Sequence, residues 1–279
     1  MNSSGQSSNC SDGILGIIGG TGMETFPELK EIRRERPSTK YGIPSDDIIV
    51  CEHADKKVIF LPRHGSSHGI PPHKIPYKAN LAAFKEMGAE YIIGTCVVGS
   101  LKKEIVPGSF VLPDQFVNLT WGRDDTYEQD QGFIHLPTGE PYCSHVREHI
   151  LAFASSTGAK IKPTGTVVII QGPRFSTTAE SKWFSGNGWD IVNMTQYPEC
   201  YFAKELGLCY SAIASVTDYD AGLQESLVID PKNADRFLKI FRENVSKTKD
   251  LLLGFIDSPF SKLSCKCAKT VVKAYYENI

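Results

Sequence analysis

The sequence has almost no net charge: 30 Lys and Arg stand against 32 Asp and Glu among 279 residues, a formal −2. That balance removes the electrostatic ground for expecting nucleic acid or an anionic membrane surface as a partner. Also missing is any run approaching the roughly 18 uninterrupted apolar residues of a membrane helix. The opening MNSSGQSSNCSDG lacks a basic-then-apolar signal pattern. It reads as a disordered extension over residues 1–13, ahead of one domain over 14–279. A cytoplasmic location is expected, which leaves the sequons at Asn118, Asn193 and Asn244 without meaning. No repeat, low-complexity tract or interdomain linker divides the chain. With 41% hydrophobic and 22% charged residues, a chain of this length buries enough surface to fold without staples.

Cysteine, by contrast, is plentiful, with eight residues. Cys10 lies in the leader, while Cys51 and Cys96 sit in apolar runs and read as small hydrophobes. Cys143, Cys200, Cys209, Cys265 and Cys267 all fall in the second half. Cys265-Lys266-Cys267 lacks the second pair that a structural zinc site wants. His64, His68 and His73 follow one another in a Pro-rich loop with no helix to align their imidazoles. No metal is expected. Reduced thiols are the ordinary state of cytosolic cysteines.

Short apolar runs alternate with helix-like segments, which predicts an α/β domain with a central mixed sheet flanked by helices. Strands are expected at Ile14–Ile18, Asp47–Glu52, Lys57–Leu61, Tyr91–Val98, Thr166–Ile170, Ile191–Met194 and Leu208–Val216. Helices are expected over Pro76–Met87, Val146–Ala154, Ala179–Phe184 and Pro198–Leu206. Apolar residues from Ala234 to Phe255 mark one long amphipathic helix. Residues 109–140 carry few helical signals and read as loops or strands over the core.

Four of the strands end in small or polar clusters: Gly19–Gly22, Gly99-Ser100, Asn193–Thr195 and Thr217–Asp220. In open α/β sheets, ligands sit beyond the carboxyl ends of strands, so these clusters are expected to converge. Each alone could be a turn. Gly19-Gly20-Thr21-Gly22 can offer backbone N–H groups and a hydroxyl to an anion, but it matches neither G-x-G-x-x-G nor the P-loop. Arg63 has the planar fork suited to phosphate, with His64 as a second donor. Asp218 and Asp220 alternate on an extended segment and so share a face. Two close carboxylates raise one another's proton affinity, which suits proton donation to a leaving group.

Ile18–Gly22, Arg63-His64-Gly65, Gly172–Ser176, Asn193–Thr195 with Pro198-Glu199, and Thr217–Asp220 occur in order. Taken together they resemble the S-methyl-5′-thioadenosine phosphorylase branch of the trimeric purine nucleoside phosphorylase family, over roughly residues 14–256. The resemblance implies phosphorolysis of a purine nucleoside to free base and sugar 1-phosphate, with methylthioadenosine as substrate. It implies phosphate bound by Thr21, Arg63, His64 and Thr195 and closed by the Cys96-Val97 backbone. Met194 would lie against the ribose, with Phe175 and Ser176 beside the base. Asp218 and Asp220 would meet the base edge as catalytic groups, and Ala234 and Phe237 would line the 5′ pocket. His135 would reach a neighbouring subunit's site in a homotrimer or dimer of trimers. Phosphate is then a co-substrate, and no cofactor is implied. Cys96 stands where relatives often carry Thr or Ser, which removes a side-chain hydroxyl from the phosphate site.

Three other readings remain in view. A 6-oxopurine nucleoside phosphorylase would favour an Asn amide where this chain has Asp218 and Asp220, although methylthioinosine stays open as a substrate. A nucleotide-binding oxidoreductase fails on the glycine spacing. A non-catalytic purine sensor on the same fold would have no need of Arg63, His64 and both carboxylates. The resemblance also implies oxidised cysteines, with Cys143–Cys209 as one bridge. The second would tie Cys200 to the C-terminal tail or close Cys265–Cys267.

Overall fold

The β-branched run at the start of the chain, bounded by glycine, forms strand β1 (Ile14–Gly19), and its residues Ile17 and Ile18 are fully buried. A computed structural model describes residues 13–127, 135–154, 156–223, 234–258 and 265–267. The expected leader therefore lies outside the described residues, apart from Gly13. After β1 come β2 (Lys30–Glu35), β3 (Ile48–His53) and β4 (Lys56–Pro62). Helix α1 (Tyr77–Glu86) and the long strand β5 (Ala89–Ser100) follow, then β6 (Phe110–Val111) and β7 (Gln115–Leu119). The second half holds α2 (Ser144–Ala154), β8 (Ile161–Lys162), β9 (Thr166–Ile170) and α3 (Thr178–Gly186). It ends with β10 (Ile191–Asn193), α4 (Gln196–Glu205), β11 (Cys209–Tyr219) and α5 (Ala234–Asp257).

The strands form one mixed sheet whose main path runs β2-β3-β4-β1-β5-β10-β9-β7. The expected α/β architecture is thus observed. At its centre, β5 pairs in parallel with β11 along nearly its whole length. On the other edge β1 accompanies β5 only as far as Gly94, and antiparallel β10 takes over at Gly99. Between those points, Thr95–Val98 has neither neighbour, so the sheet splits there. A split at the centre of an α/β sheet is where a ligand crevice forms.

Apolar side chains occupy both faces of the sheet. α1 and α4 cover one, with Leu81, Phe84 and Phe202 buried; α2 and α5 cover the other, with Val146, Ile150, Leu252 and Phe255 buried. Glycine permits a close approach at the centre. A Cβ on Gly94 would fall 2.3 Å from the Tyr210 hydroxyl and 2.8 Å from the Glu199 carboxylate.

Two expectations need correction. Strand β2 went unrecognised because its residues, Lys-Glu-Ile-Arg-Arg-Glu, are largely charged and exposed. Among the described residues it is an edge strand paired only to β3, and charge on such an edge discourages pairing between molecules.

The second correction concerns sulfur. All seven described cysteines are free thiols, so neither expected bridge is present. Cys200 packs in the α1/α4 layer, whereas Cys143, Cys209, Cys265 and Cys267 belong to the α2/α5 layer. Those four sulfurs lie within 4.8 Å of one another. Cys265-x-Cys267 therefore does acquire a second pair, from residues about 60 and 120 positions away in sequence, a convergence that linear spacing does not reveal.

Candidate active site

The four strand-end clusters converge on a cavity of about 650 Å³, within the range of small-molecule sites. Every expected site residue except Ala234 and His135 lines it. Ala234 opens α5, and its side chain lies outside the described residues. His135 is exposed and away from this cavity.

One part of the lining is built on Arg63, a candidate anion seat, whose backbone N–H donates to the Gly19 carbonyl and anchors it beside β1. The Arg63 side chain is 1% exposed. Its Nε and Nη2 donate to the two carboxylate oxygens of Glu199, itself fully buried, and Nη1 donates to the Thr95 carbonyl at 2.8 Å. Three of its five N–H bonds are thus committed, leaving one on each Nη for a ligand. Burial alone would favour losing the proton, but the Glu199 carboxylate outweighs it and pushes the guanidinium's pKa still higher. The Tyr210 hydroxyl donates to the same carboxylate at 2.7 Å.

His64 lies beside Arg63, with Nδ1 2.8 Å from the Ile70 carbonyl. A carbonyl only accepts, so Nδ1 carries the hydrogen. Desolvation, with smaller repulsion from Arg63, lowers the ring's pKa to about 4. At neutral pH His64 is therefore uncharged, and its Nε2 is a bare acceptor.

The glycine loop offers less than its sequence promised. The Gly20 amide donates to Thr95 Oγ1 at 2.9 Å and the Gly22 amide to Glu24 at 3.0 Å. Thr21 remains as the loop's exposed member on the cavity. The Cys96 thiol accepts from Gln196 Nε2 at 3.1 Å, and burial pushes its pKa up to about 12. It stays neutral, with its thiol turned to Gln196 and the Ile213 carbonyl. Asn193 Nδ2 bridges to the Val97 carbonyl across the split, and its Oδ1 accepts from the amides of Thr195 and Gln196.

The two carboxylates flank the end of β11, Asp218 within its last residues and Asp220 just after it. Burial raises the pKa of Asp218 to about 6, opposed by a 2.9 Å hydrogen bond from the Thr217 hydroxyl and reinforced by the nearby Asp220. Asp220 is 6% exposed, and burial raises its pKa too. The Ser181 and Ser176 hydroxyls beside it oppose that rise by hydrogen bonding to the carboxylate, and the carboxylate still lines the cavity. Between the carboxylates the Tyr219 hydroxyl turns away to the Lys103 carbonyl, confirming the alternation.

Apolar surface completes the cavity. Met194 packs on Gly172, where a Cβ would fall 2.7 Å from its sulfur. Phe237 stacks on Phe241 with ring centroids 6.1 Å apart, and Leu238 joins them. Phe175 is 67% exposed.

Residues given no role from the sequence complete the cavity: Glu199, Thr95, Gln196 and Tyr210 stand behind Arg63, and Leu238 and Phe241 lie within the apolar end. Glu199 carried a usable signal, being an acid inside the apolar run Tyr197–Phe202. The His64 and His68 rings lie tilted to each other with centroids 4.6 Å apart, yet with His73 they form no metal-ligating group among the described residues.

The sequence profile of the phosphorylase superfamily matches residues 14–257. An S-methyl-5′-thioadenosine phosphorylase of Nitrosopumilus maritimus is 42% identical over 262 residues, covering 94% of this chain and 98% of that one. A purine nucleoside phosphorylase of Streptomyces coelicolor is 39% identical, covering 87% and 88%. Among solved structures, methylthioadenosine phosphorylase from Schistosoma mansoni in complex with tubercidin superposes with a TM-score of 0.82. That pair is 34% identical, with 88% of this chain and 90% of the other covered.

Proposed function

The chain belongs to the phosphorylase superfamily, and on that footing we propose that it catalyses reversible phosphorolysis of S-methyl-5′-thioadenosine to adenine and 5-methylthioribose 1-phosphate. It is thus a pentosyltransferase of methylthioadenosine breakdown and purine salvage. The observation that carries the substrate class is the pair of buried carboxylates on the cavity, Asp218 held near pKa 6 and Asp220 with its pKa also raised by burial. A 6-aminopurine donates from its amino group and accepts at N7, and these two groups complement it.

In the reaction the N-glycosidic bond breaks as a phosphate oxygen bonds to the anomeric carbon from the opposite face. The sugar passes through an oxocarbenium-like state, and the bond's electron pair leaves with the base. Asp218, protonated in part near neutrality, gives its proton to N7 and neutralises that charge. Asp220 accepts from the 6-amino group. Arg63, His64, Thr21 and Thr195, with the Cys96-Val97 backbone, hold phosphate in line for attack. Met194 supports the ribose, while Phe175 and Ser176 flank the base. Phe237, with Ala234 at the head of α5, gives the 5′ group a dry seat. Phosphate is the co-substrate, and the chemistry calls for no organic cofactor or metal.

We further propose a homotrimer or a dimer of trimers in the cytoplasm, with His135 completing a neighbour's site. Exposed Trp121 and Phe175, at 73% and 67%, are surfaces that such a neighbour would cover. No helix among the described residues is long and apolar enough to cross a membrane.

The test is a parallel assay of methylthioadenosine, adenosine and inosine, with and without phosphate. A 5′-hydroxyl left unpaired against Phe237 costs about 1–3 kcal/mol. The kcat/KM for methylthioadenosine should therefore exceed that for adenosine by about 5- to 150-fold. Preference for inosine would move the chain to the 6-oxopurine class. Absence of phosphate-dependent base release would leave a binding protein.

A further inference from the structure

Four thiols from three distant segments meet at one point on the face of the sheet covered by α2 and α5. Cys143 immediately precedes α2, Cys209 opens β11, and Cys265 and Cys267 follow α5. The Cys143 amide donates to the Tyr210 carbonyl at 2.7 Å, which sets the first two thiols side by side. All four sulfurs lie within 4.8 Å of one another, and Cys209 Sγ is 3.3 Å from Cys265 Sγ. Cys143 and Cys209 are buried, and Cys265 and Cys267 half-buried.

Core packing alone does not bring sulfurs together. Cys51 and Cys96 are buried as well, but each thiol points to a backbone carbonyl, of Ile49 and Ile213 respectively. The disulfide alternative would use the thiols two at a time, whereas all four here share one locus. A tetrahedral ion with metal–sulfur bonds of about 2.3 Å spaces its thiolates about 3.8 Å apart. The cluster needs only a slight adjustment to meet that spacing. A C-x-C pair on a short loop joined by two fixed thiols is also a closed donor set, with no position left for substrate.

We propose that Cys143, Cys209, Cys265 and Cys267 form a tetrathiolate site for one structural zinc ion, which clasps the segment after α5 to the start of β11. Soft thiolate donors in a tetrahedral set select zinc over calcium or magnesium. Each thiol gives up its proton to solvent on binding, with no change of oxidation state. The Val146 amide, in the first turn of α2, donates to the Cys143 sulfur and helps hold it in place. Along β11, Cys209 stands nine residues before Asp218, roughly 30 Å in an extended strand. The ion therefore stabilises the fold from the far end of the strand and takes no part in the reaction.

The test uses the full-length protein, expressed with zinc supplied and purified under reducing conditions without chelator. Elemental analysis should find one zinc per chain, and four thiols should resist a thiol reagent until a chelator is added. Cobalt substituted for zinc should show the intense sulfur-to-metal charge-transfer bands of thiolate ligation. The double variant Cys265→Ser/Cys267→Ser should lose the metal and melt lower, while its kcat/KM stays within about twofold of the parent. Chelator-stripped parent protein supplies the same comparison without substitution. Zinc retained by the double variant would overturn the assignment. So would a stripped protein that rebinds zinc more weakly than about 1 μM, iron in place of zinc, or a Cys143–Cys209 or Cys265–Cys267 disulfide in metal-free protein.

Discussion

Replacing Glu199 by Gln tests whether the anion seat is a neutralised pair or a free cation. The substitution keeps shape and volume but removes the charge opposite Arg63. It also turns one acceptor oxygen into an amide that faces a guanidinium donor. Both side chains are essentially excluded from solvent, at 1% and 0% exposure. Removing one partner of such a pair costs about 3–5 kcal/mol, because the survivor stays buried and uncompensated. At about 2–4 °C per kcal/mol for a chain this size, the melting temperature should fall by about 6–20 °C. Phosphate would then act as a replacement counter-ion, so saturating phosphate should raise the variant's melting temperature more than the parent's. The guanidinium would also lose its orientation, lowering kcat/KM for phosphate by about 10²-fold. Thermal melts with and without phosphate, combined with steady-state kinetics, read all three effects. A variant melting within about 2 °C of the parent, with no added response to phosphate, would refute the argument.

Asp218→Asn should lower kcat by about 10²–10⁴-fold through loss of the proton donor. Its stability should move the other way: because the folded-state pKa is raised to about 6, Asp218 favours the fold below pH 4 and opposes it as pH rises through 6. The variant should therefore gain melting temperature over the parent between pH 5 and pH 7.5, and a constant difference across that range would contradict the raised pKa. Asp218→Asn with Asp220→Asn should shift preference toward inosine, read as the ratio of kcat/KM values; an unchanged ratio would remove the carboxylates from base selection. Gly94→Ala puts a methyl 2.3 Å from the Tyr210 hydroxyl, so it should melt lower and raise KM for phosphate by disturbing the Glu199–Tyr210 contact. Parent-like values for both would show that the contact yields without cost.

What was legible in the sequence was the part governed by local pattern. Apolar runs such as Thr166–Ile170 became strands, and the small or polar residues after them mark where the sheet's edge opens into the cavity. Ordered motifs located Arg63, Asp218 and Asp220 at one site. Glu199 was visible as a letter but not as a partner, because nothing local shows that helix α4 brings it back to Arg63 across 136 positions. The glycine loop misled in the opposite sense, since side chains of Thr95 and Glu24 take amides that the spacing offered to an anion. The resemblance set Cys143 beside Cys209, but nothing local showed that Cys265 and Cys267 would join them. Strand β2 was obscured by its charge, which serves its position at the edge rather than its conformation.

If Arg63 and His64 hold phosphate as proposed, the bare Nε2 of His64 bears on which anions they can tell apart. At neutral pH inorganic phosphate still carries a hydrogen on oxygen, and a ring nitrogen without one is a place to set it down. Sulfate has the same shape and charge but no hydrogen to give. Against His64 it would press an oxygen lone pair on a nitrogen lone pair, with both left unsatisfied in a dry pocket. Methyl phosphonate, which keeps a titratable oxygen, would suffer less. In the proposed phosphate site, a single acceptor fixed by the Ile70 carbonyl would thus make the protonation state of the anion, rather than its size, the quantity being selected.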